Sequence, residues 1–183
     1  LEDKKIQIAR STGSFDYPAD VMLIGAMNPC PCGFYPNRQR CKCTEMEIRK
    51  YRNRISGPIY DRIDICVEAK AVELEELQNG ENGVSSRELK EQVMKARAIQ
   101  EKRYRNSPYF FNADLETKDI AVYCPLKEEE QRFMEKVFYS LNLSARAYHR
   151  ILKVARTIAD LEESPKIKKE HLAEAVCYRG FEI

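Results

Sequence analysis

Apolar residues fall along this chain in two rhythms. Residues 21–26, VMLIGA, form a short and nearly unbroken apolar run between polar neighbours. Such a run suits a strand buried on both faces, as in the middle of a parallel sheet. Pro29 cannot continue a central ladder, so the predicted strand ends in Met27-Asn28. That puts Asn28 at its carboxyl end, the side on which open α/β sheets bind ligands. Upstream, Ile6 and Ile8 alternate with Gln7, residues 11–16 are turn-rich, and Phe15 and Tyr17 suit a returning strand before Pro18. A β-hairpin is predicted there. Downstream, Ile63, Ile65 and Val67 alternate with Asp64, Cys66 and Glu68, which predicts the last strand of the same core.

The second rhythm is helical. Thr44 and Glu47 form a capping box that opens a helix over residues 44–54, with Ile48 and Tyr51 as its apolar positions. Ser85 and Glu88 form another, with Val84 and Leu89 spaced as a hydrophobic staple. The helix they open runs to about Arg103, with Leu89, Val93, Ala96 and Gln100 as its inner stripe. Residues 126–141 follow, with Glu128, Glu129 and Glu130 in the first turn and Met134, Val137, Phe138 and Leu141 on one face. Ser144 caps the next helix, where Tyr148, Ile151, Leu152, Ala155, Ile158 and Ala159 make a wide apolar face. Pro165 ends that pattern, and Leu172, Ala175 and Val176 mark a final helix ending near Gly180. The polar, glycine-rich QNGENG at 78–83 reads as a boundary. Two domains are expected, 1–77 and 84–183: an α+β part, then an all-α bundle of four or five helices.

Composition narrows the class. The chain has 183 residues, 43% of them hydrophobic and 33% charged, enough for one or two soluble domains. A net charge of +2 is too small to argue for nucleic acid by itself. No apolar run approaches a membrane span, and the cysteine pattern that follows makes a cytoplasmic protein the expectation. Seven cysteines are an odd count, and four of them cluster within fourteen residues. That pattern suits a reducing compartment and a metal better than a secreted disulfide scaffold. Cys30, Cys32, Cys41 and Cys43 read C-x-C-x8-C-x-C, a set that can hold structural Zn²⁺, although the spacing within each pair is tight. Free thiols, disulfides or a site without metal are the alternatives. Cys66, Cys124 and Cys177 show no partner pattern, and His149 and His171 read as ordinary helix residues.

Basic residues gather in two places. Arg49, Lys50, Arg52 and Arg54 stud the 44–54 helix. Such a face is usually solvated; beside the cysteines and the Arg62 segment it also suits a phosphate or an acidic partner. Lys95, Arg97, Lys102, Arg103 and Arg105 make the 85–105 helix basic, read as a solvated face before a DNA contact.

Asn-Pro-Cys-Pro-Cys-Gly after an apolar strand, then SGPIYDRIDI at 56–65 and NLSARAYHRILKVARTIADL at 142–161, resembles the magnesium-chelatase-like AAA+ ATPases of bacteria, of the competence-associated type. The resemblance runs nearly the length of the chain. It implies the C-terminal remnant of an AAA+ α/β core, with sensor-1 and following strands and a β-hairpin, followed by a helical lid. It implies ATP with Mg, a homo-hexameric ring, and DNA as a partner moved during processing such as branch migration. The hairpin would point into the central pore; as residues alone it is equally an edge hairpin.

By the same resemblance Asn28 is the sensor-1 residue that orients the attacking water. Arg62 is the arginine finger acting on a neighbouring subunit's nucleotide. Arg146 is the sensor-2 residue on the phosphates, preferred over Arg150 by its place in the motif. Taken alone, Asn28 reads as a turn former and Arg62 as a surface arginine paired with Asp61 or Asp64. No G-x-x-x-x-G-K-[ST] loop and no apolar run ending in Asp-Glu is present, so this stretch by itself is expected to be inactive. It reads as beginning just before the sensor strand of a longer ATPase. Two other functions stand beside the motor: the ATPase subunit of a metal chelatase, and a non-enzymatic, zinc-stabilised DNA-binding module.

Overall fold

The computed structural model describes residues 4–11, 13–69 and 83–179. The chain forms two compact units, one ending at Ile63 and the other beginning at Asp64. Together the described elements are mixed α and β: one two-stranded sheet and seven helices among the described residues. The predicted boundary at 78–83 lies outside the described residues except for Gly83.

The first unit opens with the expected hairpin. β1 (Lys5–Arg10) pairs antiparallel with β2 (Gly13–Pro18), setting Ile6 opposite Tyr17 and Ile8 opposite Phe15. Those four side chains share a face by the period-two rule, and all four are exposed. Residues 21–26 correct the expectation of a buried strand. They form no strand, and Val21, Met22, Leu23 and Ile24 are 63–86% exposed. A central strand needs a ladder on each side, and among the described residues only the hairpin is in strand conformation, each of its strands paired with the other. The 63–68 segment likewise forms no strand, and Ile65 and Val67 are exposed.

After the cysteine-rich turns comes α1 (Glu45–Arg52), with the predicted Thr44/Glu47 capping box in place and Ile48 buried. Arg49, Lys50 and Arg52 fill its last turn, where the helix dipole favours cations. A short α2 (Gly57–Tyr60) follows, with Pro58 in its first turn.

The second unit is helical. α3 (Ser86–Tyr104) carries the predicted Ser85/Glu88 capping box. A 3-10 turn (Asn112–Asp114) precedes α4 (Thr117–Tyr123) and α5 (Glu128–Ser140), and then come α6 (Ala145–Leu161) and α7 (Lys169–Cys177). α6 is the axis: α3, α4, α7 and the 3-10 turn all pack on it, and α5 packs on α7. Its predicted apolar face holds, with Ile151, Leu152, Ala155, Ile158 and Ala159 buried and Tyr148 half-buried. Met134 and Leu172 close the core from α5 and α7. The α3 stripe needs correction: Ala96, Gln100 and Tyr104 are buried, but Leu89 and Val93 are each 50% exposed. Only the C-terminal half of α3 meets α6's core, so the Val84–Leu89 staple spacing buries nothing.

That half of α3 is held by a polar network. Asp160 on α6 is 0% exposed. It accepts bonds from both terminal nitrogens of Arg103, from Arg156 Nε at 3.1 Å and from Asn112 Nδ2 at 2.9 Å. Asn112 Oδ1 in turn accepts from the Tyr104 hydroxyl at 2.7 Å and from Arg103 at 3.0 Å. Arg156 also donates to the Ser164 and Pro165 carbonyls, at 2.6 and 3.3 Å. Arg103, expected on a solvated basic face, is therefore a core cation. His171 is buried too: Nδ1 accepts from the Lys168 backbone at 3.0 Å, and Nε2 lies 2.9 Å from Glu162 Oε2.

Removing one member of such a network strands the others away from water. Asp160→Ala should lower the stability of the second unit by about 3–5 kcal/mol, measured by urea unfolding; a loss under about 1 kcal/mol would mean the two arginines find other partners. Alkaline pH supplies a second test. Burial pushes the Cys124 thiol from its ordinary 9.0 up to about 11 and the Tyr104 phenol from 10.0 up to about 12. Both stay protonated in the fold after the unfolded chain has lost its protons, so stability should fall as pH rises from 9.0 toward 12. In Cys124→Ala the fall between 9.0 and 11 should be shallower.

Candidate functional site

The cysteine knuckle is built from turns. Gly33 N–H donates to the Cys30 carbonyl, and Asn37 takes Cys41 N–H on its own carbonyl at 2.8 Å. The Asn37 side chain also accepts from Gln39 N and Arg40 N, at 3.1 and 3.3 Å, an Asx turn that reverses the chain. The reversal brings all four thiols within 4.8 Å of one another. Cys30 and Cys32 sulfurs are 3.3 Å apart, Cys30 and Cys41 3.7 Å, and Cys32 and Cys41 3.6 Å. A disulfide needs about 2.05 Å, and all four are free. A tetrahedron of thiolates about 2.3 Å from zinc has edges of about 3.8 Å, so the donor set and its spacing fit a four-thiolate metal.

The thiols also split electrostatically. Burial pushes Cys30 up, but the Tyr35 backbone and bonds from Cys32 and Cys41 outweigh it and lower Cys30 to about 6. The Cys32 backbone pulls Cys43 down, while the Cys32 thiol, burial and the charge of Cys30 together push it up to about 12. Thiols that compete for protons in this way are the groups a divalent cation would deprotonate together.

Asn28 is exposed and lies against the same turn. Gly33 has φ +80°, in the left-handed region that favours glycine, and a Cβ there would stand 3.8 Å from Asn28 Cγ and Nδ2. Two contacts draw neighbouring segments to this place. The Tyr60 hydroxyl donates to Met27 Sδ at 3.7 Å, and Arg52 Nε donates to the Pro29 carbonyl at 3.2 Å. The stretch beginning at Asn28 and the one ending at Arg62 are thus neighbours within one unit. Arg62 itself is half-buried and donates to the Pro58 carbonyl at 2.8 Å, one turn back.

Arg146 belongs to the second unit. It is exposed in the first turn of α6, just after the Ser144 cap, whose hydroxyl accepts from Ala147 N at 3.1 Å. Arg150, the competitor, is paired with Asp64 and has only 17% of its side chain exposed. Asp64, one of the two carboxylates that sequence alone offers to Arg62, is therefore paired with Arg150.

The aromatic partners of the basic residues belong to no motif. Arg40 lies 4.1 Å over the Phe34 ring, Arg38 and Arg52 lie 4.9 and 5.1 Å from Tyr35, and Arg54 lies 5.4 Å from Tyr51. The signal was available in the interleaving of FYPNRQR and RKYRNR. No described helix is long and apolar enough to cross a membrane.

Comparison with known proteins accounts for both halves. Residues 1–77 match the family model "Magnesium chelatase, subunit ChlI", and residues 83–179 match "Magnesium chelatase, subunit ChlI C-terminal". Competence protein ComM of Haemophilus influenzae is 42% identical over 181 residues, which cover 98% of this chain and 35% of that protein. Protein YifB of Salmonella typhimurium is 39% identical over 183 residues, covering 100% of this chain and 35% of its own length, and YifB of Escherichia coli is 38% identical over the same span. The chain thus spans about a third of the length of these relatives. On these matches, the chain belongs to the magnesium-chelatase-like family that includes ComM and YifB.

Proposed function

We propose that this chain is the C-terminal part of an ATP-driven motor of the competence-associated type, in which ATP hydrolysis drives DNA remodelling such as branch migration. In this reading residues 1–77 complete an AAA+ core, residues 84–183 are its helical lid, and the working protein is a hexameric ring in the cytoplasm. Similarity to a competence protein across both halves carries the proposal. Asn28 is the water-positioning residue, and Arg62 reaches the phosphates bound to a neighbouring subunit, where a planar guanidinium spreads the charge of the transferring group. To do so it must leave the Pro58 carbonyl, a single hydrogen bond worth about 1 kcal/mol. Arg146 contacts phosphate from the lid; Arg150, held by Asp64, positions the helix. ATP with Mg is the cofactor of this reading, touched from this chain by Asn28, Arg62 and Arg146. Zinc on Cys30, Cys32, Cys41 and Cys43 cross-links a knuckle whose own core is small. The ATPase subunit of a metal chelatase is the second reading, favoured by the name of the family model; stimulation of turnover by DNA separates the two.

Arg62→Ala in the full-length protein should abolish turnover while leaving nucleotide binding nearly intact, because a finger acts in the transition state. Mixed with wild type, it should depress ATPase activity beyond dilution; a linear decline would argue against action between subunits. Arg146→Ala should weaken nucleotide binding or hydrolysis, whereas Arg150→Ala should show first as lost stability.

Metal analysis under reducing conditions should find close to one zinc per chain, and Cys41→Ser should release it while the second unit stays folded. Near-zero zinc with four freely titrating thiols would remove the metal from the proposal and leave the motor standing.

A further inference from the structure

Residues 34–54 hold seven lysines and arginines against two glutamates. The remaining residues hold 24 basic and 27 acidic side chains, so the small net charge of +2 conceals a strongly basic stretch here. Folding places that stretch on a knuckle whose buried core is only Cys30, Cys41 and Ile48, which leaves most of its other side chains at the surface. Some surface cations elsewhere pair with carboxylates, as Lys4 does with Asp20, Arg87 with Glu91 and Lys95 with Glu163. In the knuckle Arg38 is paired with Glu45, while Arg40, Lys42, Arg49, Lys50 and Arg54 make no ion pair among the described residues. Arg49, Lys50 and Arg54 line an open groove of about 440 Å³ with Met46 and Asn53. A second groove, about 290 Å³, shares Arg49 and is lined also by Tyr35, Glu45, Ile48 and Arg52.

The aromatic rings decide what such a face suits. Phe34 is 41% exposed under Arg40, and Tyr35 is flanked by Arg38 and Arg52. Rings that brace guanidiniums hold their donors forward at little further entropic cost, and an exposed ring offers a stacking surface. An acidic protein segment would use the charges but not the rings. A nucleic acid single strand uses both, phosphates on the cations and bases on the aromatics. A duplex hides its bases and would leave Phe34 idle.

We propose that the cysteine knuckle and α1 form a contact surface for single-stranded DNA, with Arg49, Lys50 and Arg54 on phosphates and Phe34 against a base. The choice of DNA over RNA rests on the motor reading above; the phosphate and base chemistry does not. None of these residues belongs to the proposed nucleotide machinery, so the surface can be tested without ATP.

The test is fluorescence anisotropy of labelled oligothymidylate with the full chain, reduced and without nucleotide. Arg49→Gln/Lys50→Gln/Arg54→Gln should weaken binding by about tenfold or more and lower the log–log salt slope by about 2, since each lost phosphate contact removes about 0.7. Phe34→Ala should weaken single-strand binding and leave duplex binding unchanged. Arg87→Gln/Lys90→Gln/Lys95→Gln removes the same charge from α3 and should leave affinity unchanged. The inference is overturned if the two triple variants behave alike, if the knuckle variant binds as wild type, or if polyglutamate competes as well per charge as the oligonucleotide. A circular dichroism spectrum and thiol count equal to wild type establish that the knuckle variant is folded. In the full-length protein, single-strand binding that survives Arg62→Ala while turnover is lost, or the reverse for the knuckle variant, tells failure of this surface apart from failure of the motor.

Discussion

One carboxylate sealed from water organises the helical unit. Asp160 collects Arg103 from α3, Arg156 from its own helix and Asn112 from the 3-10 turn. The apolar face of α6 would accept more than one register of its neighbours, because apolar burial is non-directional. The bonds at Asp160 do not, since each works only over a narrow distance and angle. Burying these charges is costly, and the return is a fixed register between segments far apart in sequence. The first turn of α6, which presents Arg146, is the far end of the same rigid helix.

The first unit meets the opposite constraint. Its buried core among the described residues is three side chains, and its order comes from turns, a capping box and four convergent thiols. Its apolar segments at 21–24 and on the hairpin face are exposed. A sheet strand is a non-local object, stable only through partners, whereas a knuckle or a capped helix is closed by residues within a few positions of one another.

The same difference explains what could be read from the sequence. Both capping boxes, the hairpin, the α6 face and the cysteine cluster depend on neighbours in sequence, and each is where its spacing puts it. At 21–26 and 63–68 the strand signal is apolarity and alternation alone, which say that a segment can pair but not that a partner is there. The backbone of Cys66 donates instead to the Tyr178 carbonyl at 2.9 Å. Arg103 looked like one more member of a basic helix, and no periodicity could have revealed an acceptor 57 residues away. Asn28, Arg62 and Arg146 are legible only as motif positions, because positioning a phosphate leaves no compositional trace in the residue that does it.

The uneven distribution of charge has a practical side. A protein of pI about 8.1 would be expected to leave a cation exchanger early near neutral pH. This one presents its basic stretch as a concentrated patch on a mildly acidic body, and a resin, like any charged surface, samples the patch rather than the average. Retention should therefore exceed what the isoelectric point implies, with molecules adsorbed in a preferred orientation, knuckle inward. Copurifying polyanions would ride on the same patch, so the absorbance ratio of a preparation washed only at low salt would describe the wash as much as the protein.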